Sequence, residues 1–337
     1  MYINLAPFTM LCYGILVSSS LMALSSSSWL IFWLSMEVNL LSFIPIILSS
    51  SMNQETEASI KYFLAQALGS SAILVFSTSL WNLEDLGTTK LFSLILMVSV
   101  LLKLGSVPCH FWYPSVMASI SWVSCFILTT WQKLAPLGAV SFFLMQKFSS
   151  SFLIFIGSMN AIMGGVMGLN QSKMRSIMAY SSIGHIGWML SLSSIYMPIS
   201  SVVYFVVYSI LILPLFLIFG LLNIYNSNNL NKVISMTPFL IFAVSILLLS
   251  LGGLPPLTGF APKMMTIFLL VNVNSVFVMF LILGSILNLC FYLNIIMNLM
   301  LTSHSNLSQN SSLSSMKWVN SFFVFSIVSL LFILLLH

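Results

Sequence analysis

The sequence predicts an all-α polytopic membrane protein of about eleven transmembrane helices, and three observations lead to this fold class. Only 4% of the 337 residues are Asp, Glu, Lys or Arg, whereas soluble domains carry about 25%. Apolar residues make up 59% of the chain, and the mean hydropathy is +1.10. These residues fall into runs that match the roughly 20 residues needed to cross a bilayer core. A water-facing surface cannot be built from this composition, so soluble classes are excluded.

The predicted helices follow one another with only short polar linkers between them, so no extramembrane domain is expected. The apolar runs cover residues 5–24, 29–48, 58–80, 91–121, 123–145, 151–170, 174–193, 199–222, 236–271, 275–299 and 318–336. The first run has no basic segment before it and no clear cleavage site after it. We therefore expect this run to be a permanent span rather than a signal peptide.

The fourth and ninth runs are too long for one straight span, and both are interrupted in the middle. The interrupting residues are Pro108 in the fourth run and Gly252, Gly253, Pro255 and Pro256 in the ninth. Because proline has no amide donor and its ring clashes with the preceding turn, both helices should be discontinuous. Free backbone groups at membrane depth are tolerated only where protein or a water-filled cavity receives them. The breaks therefore predict a wet interior.

The two broken helices lie five helices apart, which indicates an internal repeat. Residues 1–150 form the first predicted five-helix repeat and residues 151–299 the second, each with a discontinuous fourth helix. Because five is an odd number, the second repeat enters the membrane from the opposite side. Paired interrupted segments in inverted repeats are typical of transporters. Residues 300–337 form a linker and an additional C-terminal transmembrane helix.

Basic residues near the helix ends predict the orientation of the chain in the membrane. Five of these residues fall on the N-terminal side and two on the other side. The five are Lys61, Lys173, Arg175, Lys232 and Lys317, and the two are Lys90 and Lys147. The excess of positive charge on the N-terminal side predicts that the N-terminus lies on the inner side of the membrane.

Five ionisable residues fall within predicted spans rather than near their ends. They are Glu37, Lys103, Lys133, His185 and Lys263. Each charged side chain at the membrane centre costs about 2.5–3.5 kcal/mol on insertion scales, so the glutamate and the three lysines together oppose insertion by about 10 kcal/mol. An ammonium group taken out of water binds its proton less tightly, and a nearby carboxylate opposes this effect. Buried lysines can therefore load and release protons, and these residues predict a proton relay.

Other interpretations of the same residues stay open. Glu37 could pair with a lysine only to join two helices, Lys263 could extend to the membrane interface, and His185 could be a hydrogen-bonded packing residue. A metal cation site fits less well, because bases outnumber acids within the spans and sodium or potassium requires several oxygen ligands. The four cysteines contain no CxxC pair, which argues against a zinc or iron–sulfur site and a disulfide framework.

Four sequence stretches carry a resemblance to a known family. They are KYFLAQA at 61–67, KLGSVPCHFWYP at 103–114, WQKLAP at 131–136 and LGGLPPLTGFAPK at 251–263. In this order they resemble the NADH dehydrogenase subunit 2 family, which comprises antiporter-like membrane-arm subunits of mitochondrial respiratory complex I. The resemblance covers essentially the whole chain. With eleven helices the chain is similar to the shortened animal form, which lacks the first three of the family's fourteen helices.

The resemblance implies a role for each of the five ionisable residues. The intramembrane glutamate of the family falls on Glu37, the lysine of the broken helix on Lys103, and the bridging lysine on Lys133. The lysine of the second half falls on Lys263, and a further titratable position on His185. Together they imply proton translocation across the mitochondrial inner membrane, by a multi-pass protein whose N-terminus lies on the matrix side.

The resemblance also implies cofactors and partners. No redox centre is expected in this chain, whereas the whole complex is expected to use FMN, iron–sulfur clusters and ubiquinone. The expected neighbours are other membrane-arm subunits, including the antiporter-like subunit 4 and the lateral helix of subunit 5, together with phospholipid. The net charge of +5 is spread along the chain and predicts no nucleic-acid partner. A free-standing cation/proton antiporter of the same fold and a purely structural spacer subunit are the alternatives.

Overall fold

A computed structural model of the chain describes residues 7–50, 53–81, 86–143, 147–226, 238–255 and 257–305. Within these ranges the structure is helical apart from turns, connecting segments and one isolated bridge between Lys173 and Asn226. The α-helices are α1 Pro7–Ser25, α2 Trp29–Ile47, α3 Asn53–Trp81, α4 Leu86–Leu104, α5 Trp112–Met117, α6 Trp122–Thr129, α7 Trp131–Gly138, α8 Lys147–Leu169, α9 Met174–Ser193, α10 Pro198–Leu221, α11 Pro238–Gly252, α12 Phe260–Val271 and α13 Ser275–Ser305.

The predicted all-α membrane class is confirmed. Six of the described helices are long and apolar enough to cross a membrane on their own, and α11 and α12 are shorter apolar helices. Large apolar side chains remain exposed on the outer faces, such as Phe268 at 79% and Ile199 at 76%. Lipid suits such a surface better than water. The predicted eleventh helix at 318–336 lies outside the described residues, as do Lys232, Lys317 and Pro256.

Both predicted helix breaks are present. The helix of the fourth run ends at Leu104 and resumes at Trp112, and that of the ninth run ends at Gly252 and resumes at Phe260. Several residues outside any helix therefore lie between the two parts of each broken helix. Pro108 lies inside the first of these segments.

The two helices end in the same way at their breaks. Gly105 follows α4 with φ +70°, and Gly253 closes α11 with φ +79°. At both breaks the amide of the residue after the glycine donates to the carbonyl four residues before the glycine, at 3.1 Å for Gly105 and 3.4 Å for Gly253. The glycine's own amide donates to the carbonyl three residues before it, at 3.1 Å and 3.0 Å. This is the Schellman motif, in which glycine supplies the left-handed backbone that ends a helix.

The structure corrects the prediction of one continuous helix over 123–145. This run is divided into α6 and α7 at Thr130, and a π-helical turn at Ala139–Phe143 follows α7. The Thr130 hydroxyl donates to the carbonyl of Phe126 at 2.7 Å, a bond that competes with regular helix geometry. Pro136 removes one amide donor from the same stretch. Hydropathy did not reveal the break at Thr130, because the residues before and after it are mostly apolar and the run therefore looks continuous.

Helix α9 forms the centre of the second half of the chain. Eighteen of its 20 residues are buried, and it packs against α5, α8, α10, α12 and α13. It approaches α8 closely, because a Cβ atom added at Gly157 would lie 2.7 Å from the backbone oxygen of Gly187. A residue near the middle of α9, such as His185, is therefore surrounded by protein on all sides.

Candidate functional site

The ionisable residues of the predicted relay lie inside the helix bundle. Only 5% of the Lys103 side chain is exposed, 2% of Lys133, 5% of His185 and 5% of Lys263. Glu37 on α2 is half-buried. The alternative in which Lys263 extends to the membrane interface does not agree with this burial. Each buried group must therefore be stabilised by protein contacts or by its neighbours' charges.

Lys103 occupies the last turn of α4, immediately before the first break. Its backbone carbonyl accepts a hydrogen bond of 3.2 Å from the side-chain amide of Gln66 on α3. Gly69, one turn further along α3, leaves room for the lysine side chain, because a Cβ atom there would lie 2.9 Å from Lys103 Cγ. The Lys103 ammonium has no hydrogen-bond partner among the described residues. Helix α3 thus fixes the backbone of Lys103 and leaves its charged end free.

Glu37 is the acidic group that acts on Lys103. The carboxylate and the ammonium interact electrostatically, but these two described residues form no direct ion pair. Without a direct ion pair, the two charges still attract each other but are not held in one fixed geometry. The structural alternative, a direct pair that only joins two helices, is therefore absent from the described geometry.

Lys133 lies on α7, just after the break at Thr130. Its Nζ is 4.7 Å from the centroid of the Tyr113 ring, a cation–π geometry. It has no hydrogen-bond partner among the residues that the structure describes. The preceding residue, Gln132, accepts a hydrogen bond of 3.3 Å from the Tyr62 hydroxyl and donates one of 2.9 Å to Asn39. These contacts to α3 and α2 fix the position of α7 and therefore of Lys133.

His185 lies in the middle of α9 between two lysines. Its Nδ1 is 3.0 Å from the Tyr204 hydroxyl of α10, and the ring of Tyr208 lies 4.8 Å away between centroids. Its Nε2 has no hydrogen-bond partner in the described part of the chain. Both Lys133 and Lys263 interact electrostatically with it. His185 thus interacts electrostatically with one lysine from each half of the chain.

Lys263 closes the second break. It lies in the first turn of α12, and its ammonium donates to the carbonyls of Gly252 at 2.8 Å and Leu251 at 3.3 Å, at the end of α11. A positive charge at a helix C-terminus also interacts favourably with the helix dipole. In the first half the equivalent role falls to Trp112, whose indole donates to the carbonyl of Leu102 at 3.1 Å. Each broken helix is therefore capped by a side chain from beyond its own break.

The predicted residues form two groups in the structure. Glu37 and Lys103 make one group, and Lys133, His185 and Lys263 make the other, as described above. No hydrogen bond among the described residues connects Lys103 with Lys133, although the helices that carry them, α4 and α7, pack together. Of the predicted helix-breaking residues, Pro108 and Pro255 are exposed and Gly252 is buried. Their effect is on the backbone rather than through contacts of their side chains.

Several polar residues of the site escaped the sequence analysis. They are Asn39, Gln66, Tyr113, Gln132, Ser182 and Tyr204. One signal was available, because Ser182 and His185 are three residues apart and therefore share a helix face. Gln66, Tyr113 and Tyr204 contact ionisable residues from other helices, and Asn39 bonds to Gln132 across helices. No sequence spacing reports such contacts. Within the described residues, no group of three or more His, Cys, Asp or Glu side chains could hold a metal ion.

Comparison with known proteins identifies the family. The model of the family described as NADH:quinone oxidoreductase/Mrp antiporter, TM, matches residues 26–289. NADH-ubiquinone oxidoreductase chain 2 of Lumbricus terrestris is 55% identical over 295 residues, which cover 88% of each chain. The Anopheles gambiae protein of the same name is 39% identical over 286 residues, covering 83% of this chain and 82% of that one.

A solved structure shares the fold. A chain of respiratory complex I from Thermus thermophilus, solved with bound aureothin, superposes with a TM-score of 0.81 at 20% sequence identity. The match covers 96% of this chain and 77% of that chain. At this identity the likeness concerns the fold alone, whereas the curated relatives share the sequence. The chain therefore belongs to the family of antiporter-like membrane subunits of NADH:quinone oxidoreductases and Mrp antiporters, with NADH-ubiquinone oxidoreductase chain 2 proteins as its relatives.

Proposed function

We propose that the chain is a non-redox membrane subunit of NADH:ubiquinone oxidoreductase, complex I, and takes part in proton translocation across the inner mitochondrial membrane. One observation carries the proposal. Three lysines next to helix breaks and a histidine of α9 are buried inside a membrane bundle, and two of the ammonium groups have no hydrogen-bond partner among the described residues. If the two unpartnered lysines served only for packing, apolar side chains of similar volume would stabilise the bundle more.

The relay that we propose runs through Glu37, Lys103, Lys133, His185 and Lys263. Like charges repel strongly where the dielectric constant is low, so a proton on one of the bases disfavours a proton on the next. Groups coupled in this way titrate together rather than independently. Loading one end of the relay with a proton therefore promotes release from the other. The electrostatic interactions of His185 with both Lys133 and Lys263 support this coupling in the second half.

In the first half, the coupling would depend on the distance between Glu37 and Lys103. The two residues interact electrostatically without a direct ion pair. A carboxylate favours the charged form of a nearby ammonium. A small movement of α2 relative to α4 would therefore change the affinity of Lys103 for its proton. Such a movement is how a conformational change in the rest of the complex could drive the relay.

The proposal includes the arrangement of the chain in the complex. Residues 1–150 and 151–299 form two inverted repeats, residues 300–337 follow them, and the N-terminus lies in the matrix. The matching Schellman motifs at Gly105 and Gly253 support the repeat. The neighbours are the antiporter-like subunit 4, the lateral helix of subunit 5 and phospholipid. Other subunits hold the FMN and iron–sulfur clusters and reduce ubiquinone, and this chain supplies no redox centre.

Two substitutions test the proposed function in the assembled complex. Glu37→Gln and Lys103→Met each remove one charge of the first group, so we expect proton pumping per NADH to fall or turnover to stop. Pumping is measured in vesicles that contain the purified complex. Lys61→Met is the matched control, because Lys61 is an exposed lysine paired with Glu57 at 2.5 Å, and we expect it to pump normally. Normal pumping and turnover in both test variants would refute the role of the first group.

Purification separates this proposal from the alternative of a free-standing antiporter. Co-purification of the chain with flavin-containing and iron–sulfur subunits is expected for a complex I subunit. A single polypeptide with sodium-dependent transport would instead support the antiporter.

A further inference from the structure

We propose that the hydroxyl groups of Tyr113 and Ser182 carry protons between Lys133 and His185 and so join the two halves of the relay. The inference rests on the proposed function, and it assigns a role to two residues that the relay does not otherwise include. Tyr113 lies in α5, after the break of the first half, and Ser182 lies in α9 of the second half. Their side chains meet where the two halves pack against each other, since α5 packs on α9.

The two hydroxyl groups are buried and in direct contact. Only 1% of Tyr113 is exposed and 0% of Ser182, and Ser182 Oγ lies 2.9 Å from the Tyr113 hydroxyl oxygen. The ring of the same tyrosine holds the Lys133 ammonium at 4.7 Å from its centroid. Tyr113 therefore contacts the last base of the first half with its ring and a residue of the second half with its hydroxyl.

A connection of this kind is needed because Lys133 and His185 do not bond to each other. Neither Lys133 Nζ nor His185 Nε2 has a hydrogen-bond partner among the described residues. Proton transfer requires donor and acceptor atoms about 2.6–3.2 Å apart, or one water molecule between them. Electrostatic interaction between the two residues couples their charges but moves no proton. The hydroxyl pair links the ring that contacts Lys133 to the helix that carries His185.

The hydrogen bonds of Ser182 can reverse direction, as a relay requires. Its Oγ lies 2.9 Å from Tyr113 and 2.7 Å from the carbonyl oxygen of Ala179, one turn earlier on α9. A serine hydroxyl has one proton and two lone pairs. When the proton points at Ala179, the oxygen can accept a hydrogen bond from Tyr113. When the hydroxyl turns, it donates to Tyr113 instead, so protons can pass in either direction.

The transfer balances without any change in heavy-atom bonds. As the Tyr113 oxygen takes up a proton from the Lys133 side, its own proton moves to Ser182. The original proton of Ser182 then leaves toward His185, and both hydroxyl groups are neutral again. Ser182 and His185 share a face of α9 because they are three residues apart. The Tyr204 hydroxyl occupies His185 Nδ1, so Nε2 is the ring nitrogen available to the arriving proton.

Removal of either hydroxyl group tests the inference in the assembled complex. Tyr113→Phe keeps the ring beneath Lys133 and removes only the oxygen, and Ser182→Ala removes the partner. Because loss of a positioned proton carrier typically costs two or more orders of magnitude, we expect coupled pumping to fall about a hundredfold or more in each variant. The double variant should be no worse than either single variant, because all three break the same link. Ser182→Thr retains a hydroxyl and should restore pumping to within about twofold.

Ser191→Ala is the matched control. Ser191 is another fully buried serine of α9, and its hydroxyl donates at 2.7 Å within its own helix, to Trp188. We expect this variant to pump normally. Equal loss in Ser191→Ala and Ser182→Ala, or failure of Ser182→Thr to restore pumping in an assembled complex, would mean that the Tyr113–Ser182 contact only packs the halves together and would overturn the inference.

Lys133→Met separates failure of the inference from failure of the proposed function. If Lys133→Met abolishes pumping while Tyr113→Phe and Ser182→Ala pump normally, the relay stands and the hydroxyl link is wrong. If Lys133→Met also pumps normally, the proposed function itself is wrong. If Tyr113→Phe or Ser182→Ala assembles poorly, the other variant provides the test, since both single substitutions are expected to lower pumping to the same extent.

Discussion

At the residue scale, the same residue type does two different things in the two halves of the chain. Lys103 precedes its break, and its ammonium has no hydrogen-bond partner in the described part of the chain, whereas Lys263 follows its break and donates to two backbone carbonyls. Sequence position alone showed the asymmetry, and the structure gives it a physical meaning. Loss of a proton from Lys263 would weaken two charge-assisted bonds, which would couple the proposed proton release in the second half to the end of α11.

Replacement of Lys263 therefore affects stability as well as pumping. Lys263→Met leaves the carbonyls of Leu251 and Gly252 without their donor, and each buried unsatisfied group costs about 1–3 kcal/mol. We expect a lower thermal unfolding midpoint for the purified complex. Lys61→Met, at an exposed lysine, should leave the midpoint unchanged. An unchanged midpoint for Lys263→Met would show that the cap contributes nothing to the second break.

Two adjacent glycines offer a second test at the residue scale. Gly253 has φ +79°, and an added Cβ atom would lie 2.8 Å from Lys263 Nζ. Gly253→Ala should cost about 1–2 kcal/mol for the left-handed backbone alone. Gly252→Ala is the control, because an added Cβ atom there would lie 3.6 Å from the nearest side-chain atom, an ordinary van der Waals distance. Thermal unfolding of the two variants should therefore differ, and equal midpoints would contradict the capping role of Gly253.

At the scale of elements, α9 holds the centre of the site because small residues allow α8 to approach it. The close contacts of Gly157 with Gly187 and of Gly164 with Gly184 bring the two backbones together on either side of His185. The polar partner of His185, Tyr204, lies on α10, and that of Ser182, Tyr113, lies on α5. The precision of the site thus depends on helix packing rather than on any loop.

A larger side chain at this crossing should displace the whole element. Gly187→Ala places a methyl group against the backbone of α8, and overpacking of this kind costs about 1–3 kcal/mol. We expect a lower yield of assembled complex and weaker pumping. Gly14→Ala on α1 is the control, since no atom lies within 4 Å of the added Cβ, and alanine there should be neutral or slightly favourable. Similar yields for the two variants would argue against a tight crossing.

At the scale of the whole molecule, the sequence determined much of the architecture in advance. Apolar runs of about 20 residues predict helices because a helix satisfies its backbone groups within its own segment and needs that length to cross the bilayer. Gly252 and Gly253 marked one break and Pro108 marked the other. Buried ionisable residues were recognisable because charges inside apolar runs are rare. The division at Thr130 was missed because it depends on local hydrogen bonding within an unbroken apolar run.

The contacts between halves could not be predicted from the sequence. Tyr113 and Ser182 are 69 positions apart, and each looks like an ordinary residue of its own helix. The link between Gln132 and Asn39 likewise joins helices whose relative rotation no periodicity specifies. Such contacts depend on how whole helices pack, and that is decided by the shape of many side chains together.

Protons are proposed to pass through the interior of the bundle, and Lys133 is the base of the first half that interacts electrostatically with His185 in the second half. The most direct test is the number of protons pumped per NADH by complex I that carries Lys133→Met, compared with Lys61→Met. We predict that Lys61→Met retains the full ratio and that Lys133→Met either lowers the ratio or stops turnover. An assembled Lys133→Met complex with full turnover and an unchanged ratio would contradict the account.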